Sequence, residues 1–379
     1  MGRTRAKKQI AATKSSSDSS KTAANTPSIP SLLEKAQDLV VQCDYQLAAR
    51  FIQRVLEQDA SNAIAREMRG VVELETGDLE NAKQTFSSLL PPHPNAVPSP
   101  PHSAYLYLAQ LSDDDPRQAL KYYQTAVDGL VTQLKGKERE TDAAIPEDLD
   151  ELKSNIVRAL IGQVEIWMDP TYDLCFEPEA ESTCETLLLT ALQTDPRNAE
   201  AMQAMASVRL SQQREADARQ CLEQAWSAWK DLDPDHPKIP PISTRLALVK
   251  MFLELSLFSP ALLVLQSIMA SNDQDVEAWY LEGWCFYLMA ENAKENGGQL
   301  EEISWQDLAQ DARDSLETCR TLHTNQEHAD MPLLEHTLEL IQSLENQGIF
   351  SSVNADDGVD SDQDEQWEDI DSNEDVAMT

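Results

Sequence analysis

The sequence predicts an all-α fold: a solenoid of helical hairpins, about seven irregular repeats closed by a further helix, with disordered ends. Three observations predict it. The 379 residues include only 11 glycines and are 41% hydrophobic, a helical composition with enough apolar surface for a core. Small and apolar residues return at a spacing of 34 in several parts of the chain. Between the amphipathic stretches lie short segments carrying Asp, Asn or Pro, residues that start helices and close turns.

The elements follow in chain order. Residues 1–28 form a basic arm whose segment SSSDSSKTAANTPS has no apolar period, and the arm is expected to be disordered. A helical pattern begins at PSLLEKAQDLVV, with Pro30 in the first turn, where a missing N–H does no harm. Across CDYQLAARFIQRVLEQDASNA and GDLENAKQTFSSLL, Asp44 and Asp78, Ala48 and Ala82, and Val55 and Leu89 are each 34 apart, as are Ala36 and Gly70 upstream. The period returns at Cys184 and Ala218, Ala191 and Ala225, and Val249 and Gly283. Two antiparallel helices per unit, each with a small residue at the contact, account for it. Units are expected to begin near residues 29, 63, 102, 155, 199, 242 and 276. MPLLEHTLELIQSLENQG (Met331–Gly348) reads as the closing helix, so the solenoid is placed at 29–347 and a disordered acidic tail at 348–379. Three insertions interrupt the period, at 91–102, 169–180 and 291–302; the first, PPHPNAVPSPPH, is too rich in proline to be helical.

These features resemble the tetratricopeptide-repeat (TPR) family. The resemblance rests on Gly or Ala midway along each first helix (Gly70, Ala109, Gly162, Ala206, Gly283), on Trp279 four residues before Gly283, and on the turn TDPRNAEA. Small residues in the second helices (Ala48, Ala82, Ala119, Cys184, Ala218, Ala261) complete it. It implies that the first helix of each unit lines an inner face on which peptides bind.

Charge narrows the partner. The formal net charge is -36, made up of a basic first thirty residues, a strongly acidic body, and a tail from residue 354 onward with eleven acids and no base. Such a field repels nucleic acid and anionic membranes and speeds encounter with cationic proteins. No direct nucleic-acid or membrane partner is expected. The most apolar run, LALVKMFLELSLFSPALLVL, is broken by Lys250, Glu254 and Pro260, and the basic N-terminal residues are followed by no secretory apolar stretch. Six cysteines show no CxxC pair, which suits a reducing compartment. No GxSxG, GxGxxG, P-loop or HExxH pattern occurs, so neither catalysis nor a cofactor is expected. Cys319 with His323, and His328 with His336, share helix faces, but two ligands fall short of a structural zinc site.

Phasing on the small residues places Glu67, Val71 and Glu75 of the second unit on the inner face. It places Gln163, Ile166 and Trp167 there in the fourth unit, and Glu277, Tyr280, Trp284 and Tyr287 in the seventh. Carboxylates beside aromatic rings suit a Lys/Arg-rich peptide, whose charges pair while its stems lie on the rings. Packing between repeats is the competing reading for the two tryptophans. The terminal strip SDQDEQWEDIDSNED supplies a second acidic surface through Asp362, Asp364, Glu365, Trp367, Glu368, Asp369 and Asp371, with Ser361 and Ser372 as acid-directed phosphorylation sites.

An acidic repeat solenoid with a WEDID-type tail is similar to the fungal family of dedicated assembly chaperones of ribosomal large-subunit protein four. The resemblance implies a role: holding the extended loop of the newly made basic ribosomal protein, keeping it soluble, and accompanying it from cytoplasm to nuclear pre-ribosomes, with an import carrier engaged through the cargo. A general TPR adaptor in an RNA-processing or trafficking complex is the alternative reading.

Overall fold

Hairpin turns repeat along the chain with one local geometry. In the computed structural model, which describes residues 27–139, 146–233, 236–300 and 302–351, the turn inside a hairpin places one residue at positive φ immediately before the second helix. Cys43, Gly77, Gln213 and Ser256 all do so. Where Asp follows, it caps the next helix: the Asp44 carboxylate accepts from the Leu47 N–H at 3.1 Å. Asn62, Asn198 and Asp275 do the same for the first helices of the next units. The periodic Asp and Asn seen in the sequence are therefore helix caps.

The chain divides into two compact units, residues 1–129 and 130–379. In the first, α1 (Ile29–Val41) pairs with α2 (Tyr45–Gln58), α3 (Ala63–Glu75) with α4 (Leu79–Ser87), and α5 (His102–Gln110) leads to α6 (Pro116–Arg139), within which the boundary falls. The small residues make the hairpins close. A Cβ at Gly70 would stand 2.7 Å from the ring of Phe86, which is fully buried and stacks on Tyr107 at 4.6 Å between centroids. The proline-rich insertion is non-helical as expected except at its last residue, His102, which opens α5 because Pro101 already has extended backbone. Arg66 fixes the insertion by donating to the carbonyls of Asn95 and Ser88.

In the second unit α7 (Pro146–Met168) pairs with α8 (Ala180–Thr194), α9 (Ala199–Ser211) with α10 (Glu215–Ser227), α11 (Ile242–Glu254) with α12 (Phe258–Ser271), and α13 (Val276–Glu295) with α14 (Trp305–Asn325). The first helices also touch one another in the order α7, α9, α11, α13, and α15 (Met331–Asn346) packs on α13 and α14. Among the described residues, seven helix pairs and a closing helix result, as the period predicted. One start differs: α7 begins at Pro146 rather than near 155. A 3₁₀ turn (Asp173–Phe176) occupies the second insertion. The third holds the end of α13 and β1 (Gln299–Leu300), which pairs with β2 (Ile303–Ser304) just beyond it. The predicted small residues of the second helices, Ala48, Ala82, Ala119, Cys184, Ala218 and Ala261, are all buried.

Candidate peptide-binding groove

In the first unit the inner-face residues gather. Glu67 accepts a hydrogen bond from Ser103 at the start of α5, and Glu75 accepts one from the Tyr45 hydroxyl at 3.3 Å. Burial, then the charges of Glu67 and Glu75, push the Tyr107 phenol above its ordinary value, so both carboxylates act on one ring. Val71 is half-buried against the core below. Two acids and two tyrosines thus form one patch, and Tyr45 and Tyr107 are the members that sequence phasing missed.

The fourth unit corrects the phasing. Gln163 is only 4% exposed, and its amide donates to the Ala159 carbonyl at 3.4 Å, so it faces the packed side of α7. Trp167 packs on the cluster of Val164, Cys184, Leu188, Met205 and Val208, and Ile166 is half-buried. The groove is lined instead by Ile161, Val164, Glu165 and Met168 of α7, with Glu200, Gln203, Ala204 and Ser207 of α9. These sets align at an offset of 39, which makes Gly162 the counterpart of Ala201 and Trp167 the counterpart of Ala206. Anchoring on Gly162 moved the phase by five residues, about 140° round a helix. The early start of α7 hid this.

That groove crosses α7, α9 and α11 and holds about 600 Å³. Ile161, Val164, Met168, Ala204, Ala247 and Met251 give it apolar walls, while Glu165 and Glu200 put two carboxylates among them. Burial and the neighbouring Glu200 charge raise the Glu165 carboxyl above its ordinary value, although part of the side chain stays at the surface. The one lysine on the lining, Lys250, is held by Glu277 at 2.6 Å, which leaves the acid pair uncompensated and takes Glu277 out of the free acids. A carboxylate pair above an apolar wall is a seat for a Lys or Arg side chain.

In the seventh unit the predicted aromatic stripe has an occupant. Tyr280 shares a 2.7 Å hydrogen bond with Nδ1 of His336, Tyr287 shares one of 3.1 Å with Ser343, and Trp284 meets the His336 ring edge-on at 5.7 Å. Burial first, then Cys319 and the charges of Asp330 and Glu277, push the Tyr280 phenol up to about 12. Tyr280, Trp284 and Tyr287 therefore lie together on one face as phased, but α15 covers them. The tail residues Asp362, Asp364, Glu365, Trp367, Glu368, Asp369 and Asp371, and Ser361 and Ser372, lie outside the described residues. Among the described residues no three His, Cys, Asp or Glu side chains gather as a metal site, and no helix is long and apolar enough to cross a membrane.

Comparison with known proteins places this geometry in a family. Residues 33–97 match a tetratricopeptide-repeat family model. A protein of Schizosaccharomyces pombe named "probable assembly chaperone of rpl4" is 31% identical over 287 residues, 75% of this chain and 81% of the relative. The chain belongs to the rpl4 assembly-chaperone family. A member from Emericella nidulans, with the same name, is 29% identical over 365 residues, covering 92% of this chain and 90% of its own. The solved structure titled "Assembly Chaperone of RpL4 (Acl4) (Residues 1-338)" superposes with a TM-score of 0.63 at 26% identity. It covers 72% of this chain and all of that one. Family membership thus spans both units.

Proposed function

We propose that this protein is a dedicated chaperone of the newly made basic ribosomal protein rpl4, held through the acid-bearing inner faces of its hairpins. The observation that carries the reading is the 31% identity to the S. pombe chaperone over 81% of its length. The chemistry supports it independently. A free ribosomal protein is a polycation that binds stray RNA or aggregates, and a carrier with a net charge of -36 screens it. The Glu165–Glu200 pair takes cationic heads and the apolar walls take their stems.

Many weak, salt-sensitive pairs make the complex reversible, and a denser polyanion, ribosomal RNA, displaces the carrier at the pre-ribosome. The protein collects its cargo in the cytoplasm and releases it in the nucleus, with an import carrier engaged through the cargo. The acidic tail adds carboxylates at high local concentration to shield what the groove leaves exposed. The role is binding, with no reaction of its own.

The test is purification of the tagged full-length protein from cells followed by mass spectrometry. One dominant partner, rpl4, released as salt rises, is the expected result. Several acidic or neutral partners in its place would mean a general adaptor.

A further inference from the structure

The first unit carries a second cleft of opposite character. It holds about 570 Å³ between α2 and α3, and Arg50, Arg54 and Arg69 line it with Glu57 and Glu73. Three of the eight bases between residues 27 and 129 therefore meet in one place, in a stretch with fourteen acids. Neither acid serves Arg50 or Arg54. Glu73 is taken by Arg69 at 2.7 Å and by the Thr85 hydroxyl at 2.6 Å, and Glu57 accepts from the Gln53 amide at 3.2 Å. Arg54 lies over the Phe51 ring at 5.5 Å, and both arginines are exposed. On α3 the cleft residues Arg69, Val72 and Glu73 lie about 150° round the helix from Glu67, Val71 and Glu75. The cleft thus opens away from the acidic patch.

Arg50 and Arg54 stand one turn apart, with a rise of about 6 Å, and two like charges at this spacing weaken an isolated helix slightly. An anion spanning both would offset that cost. In an extended peptide, side chains two residues apart point the same way at about 6.6–6.8 Å, which matches the arginine pair. We propose that this cleft docks an extended, carboxylate-rich segment of a partner protein, with acids at alternate positions bound by Arg50 and Arg54 and its stems against the lining residues Ala49, Ile52 and Val72. The protein would then present opposite charges on two faces: acids to its cargo and a small basic seat to an acidic partner.

The experiment is fluorescence anisotropy of a labelled synthetic peptide of alternating Asp and Ser against the full-length protein at low salt. Binding is expected to fall about tenfold in Arg50→Glu/Arg54→Glu, and several-fold in Arg50→Ala/Arg54→Ala, which keeps helix propensity and controls for folding by circular dichroism. A peptide with the same number of acids at every third position should bind about threefold more weakly, since its carboxylates alternate sides. Equal binding by wild type and both variants, or no binding to wild type, overturns the proposal. So does a single-stranded RNA oligonucleotide that binds through the same arginines more tightly than the peptide.

Discussion

Replacing the two groove acids, singly and together, tests the cation seat. If a cargo lysine sits about 4 Å from each carboxylate, the gross attraction is about 4 kcal/mol per pair at an effective dielectric of 20. The groove is open along its length and Glu165 keeps part of its surface in water, so solvent and salt reduce each pair to about 1 kcal/mol. Glu165→Gln or Glu200→Gln alone should therefore weaken a Lys-rich rpl4 peptide about fivefold, and the double variant about twentyfold. The two effects should not multiply fully. Glu200 repels the Glu165 charge, and its removal relieves that repulsion.

The pH dependence gives a second reading of the same pair. Burial and Glu200 raise the Glu165 carboxyl above the ordinary 4.5, so on acidification it protonates earlier than an unperturbed glutamate. The bound cation favours the ionised form, so affinity falls as the pH drops through that raised value. In Glu200→Gln the fall should move to lower pH, and in Glu165→Gln it should shrink. Isothermal titration calorimetry of the peptide between pH 7 and pH 5 measures both. Affinity unchanged within about twofold in the double variant at pH 7 would refute the seat.

Three further outcomes are expected. Arg209 is 8% exposed and held by Glu185 at 2.5 Å and Gln212 at 2.8 Å, so Glu185→Ala should cost about 2 kcal/mol in thermal or urea unfolding, discounted because Glu185 is a third exposed. The hydrogen bond from Arg209 holds the Glu185 carboxyl below its ordinary value; its contribution is thus present above pH 4.5 and lost as pH falls through the folded value, where wild type and variant should converge. Gly283→Ala would set a Cβ 2.6 Å from Leu316 Cγ and 3.1 Å from its backbone nitrogen. It should destabilise the α13–α14 hairpin by about 1–3 kcal/mol, outweighing the helix preference of alanine, as hydrogen exchange across α13 would report. Removal of residues 331–351 should uncover Tyr280, Trp284 and Tyr287, seen as increased binding of a hydrophobic dye and lower solubility.

Periodicity carried most of the fold. The spacing of 34 located hairpins because the same left-handed turn and the same helix caps recur, and each depends on one or two local residues such as Cys43 and Asp44. The phasing of the inner face depends on which small residue anchors it. Gly70 is pressed on Phe86 and Gly283 on Leu316, so both mark a close contact within their units. At Gly162 the anchor belonged to a different position, because helix length is set by where α7 starts and the period does not encode that. The occupation of α13 by α15 was hidden for another reason: an aromatic stripe looks the same whether it meets a partner or the chain's own closing helix. The contact of His336 with Tyr280 joins residues 56 apart and follows no local rule.

The covering of α13 by α15 sets a capacity. In the second unit it leaves the faces of α7, α9 and α11 open, two helix-to-helix spacings or about 20 Å. An extended strand of about six residues fills that length. In the proposed groove this face would seat a short extended stretch of a client within the second unit, with the Lys250–Glu277 pair at its α13 end.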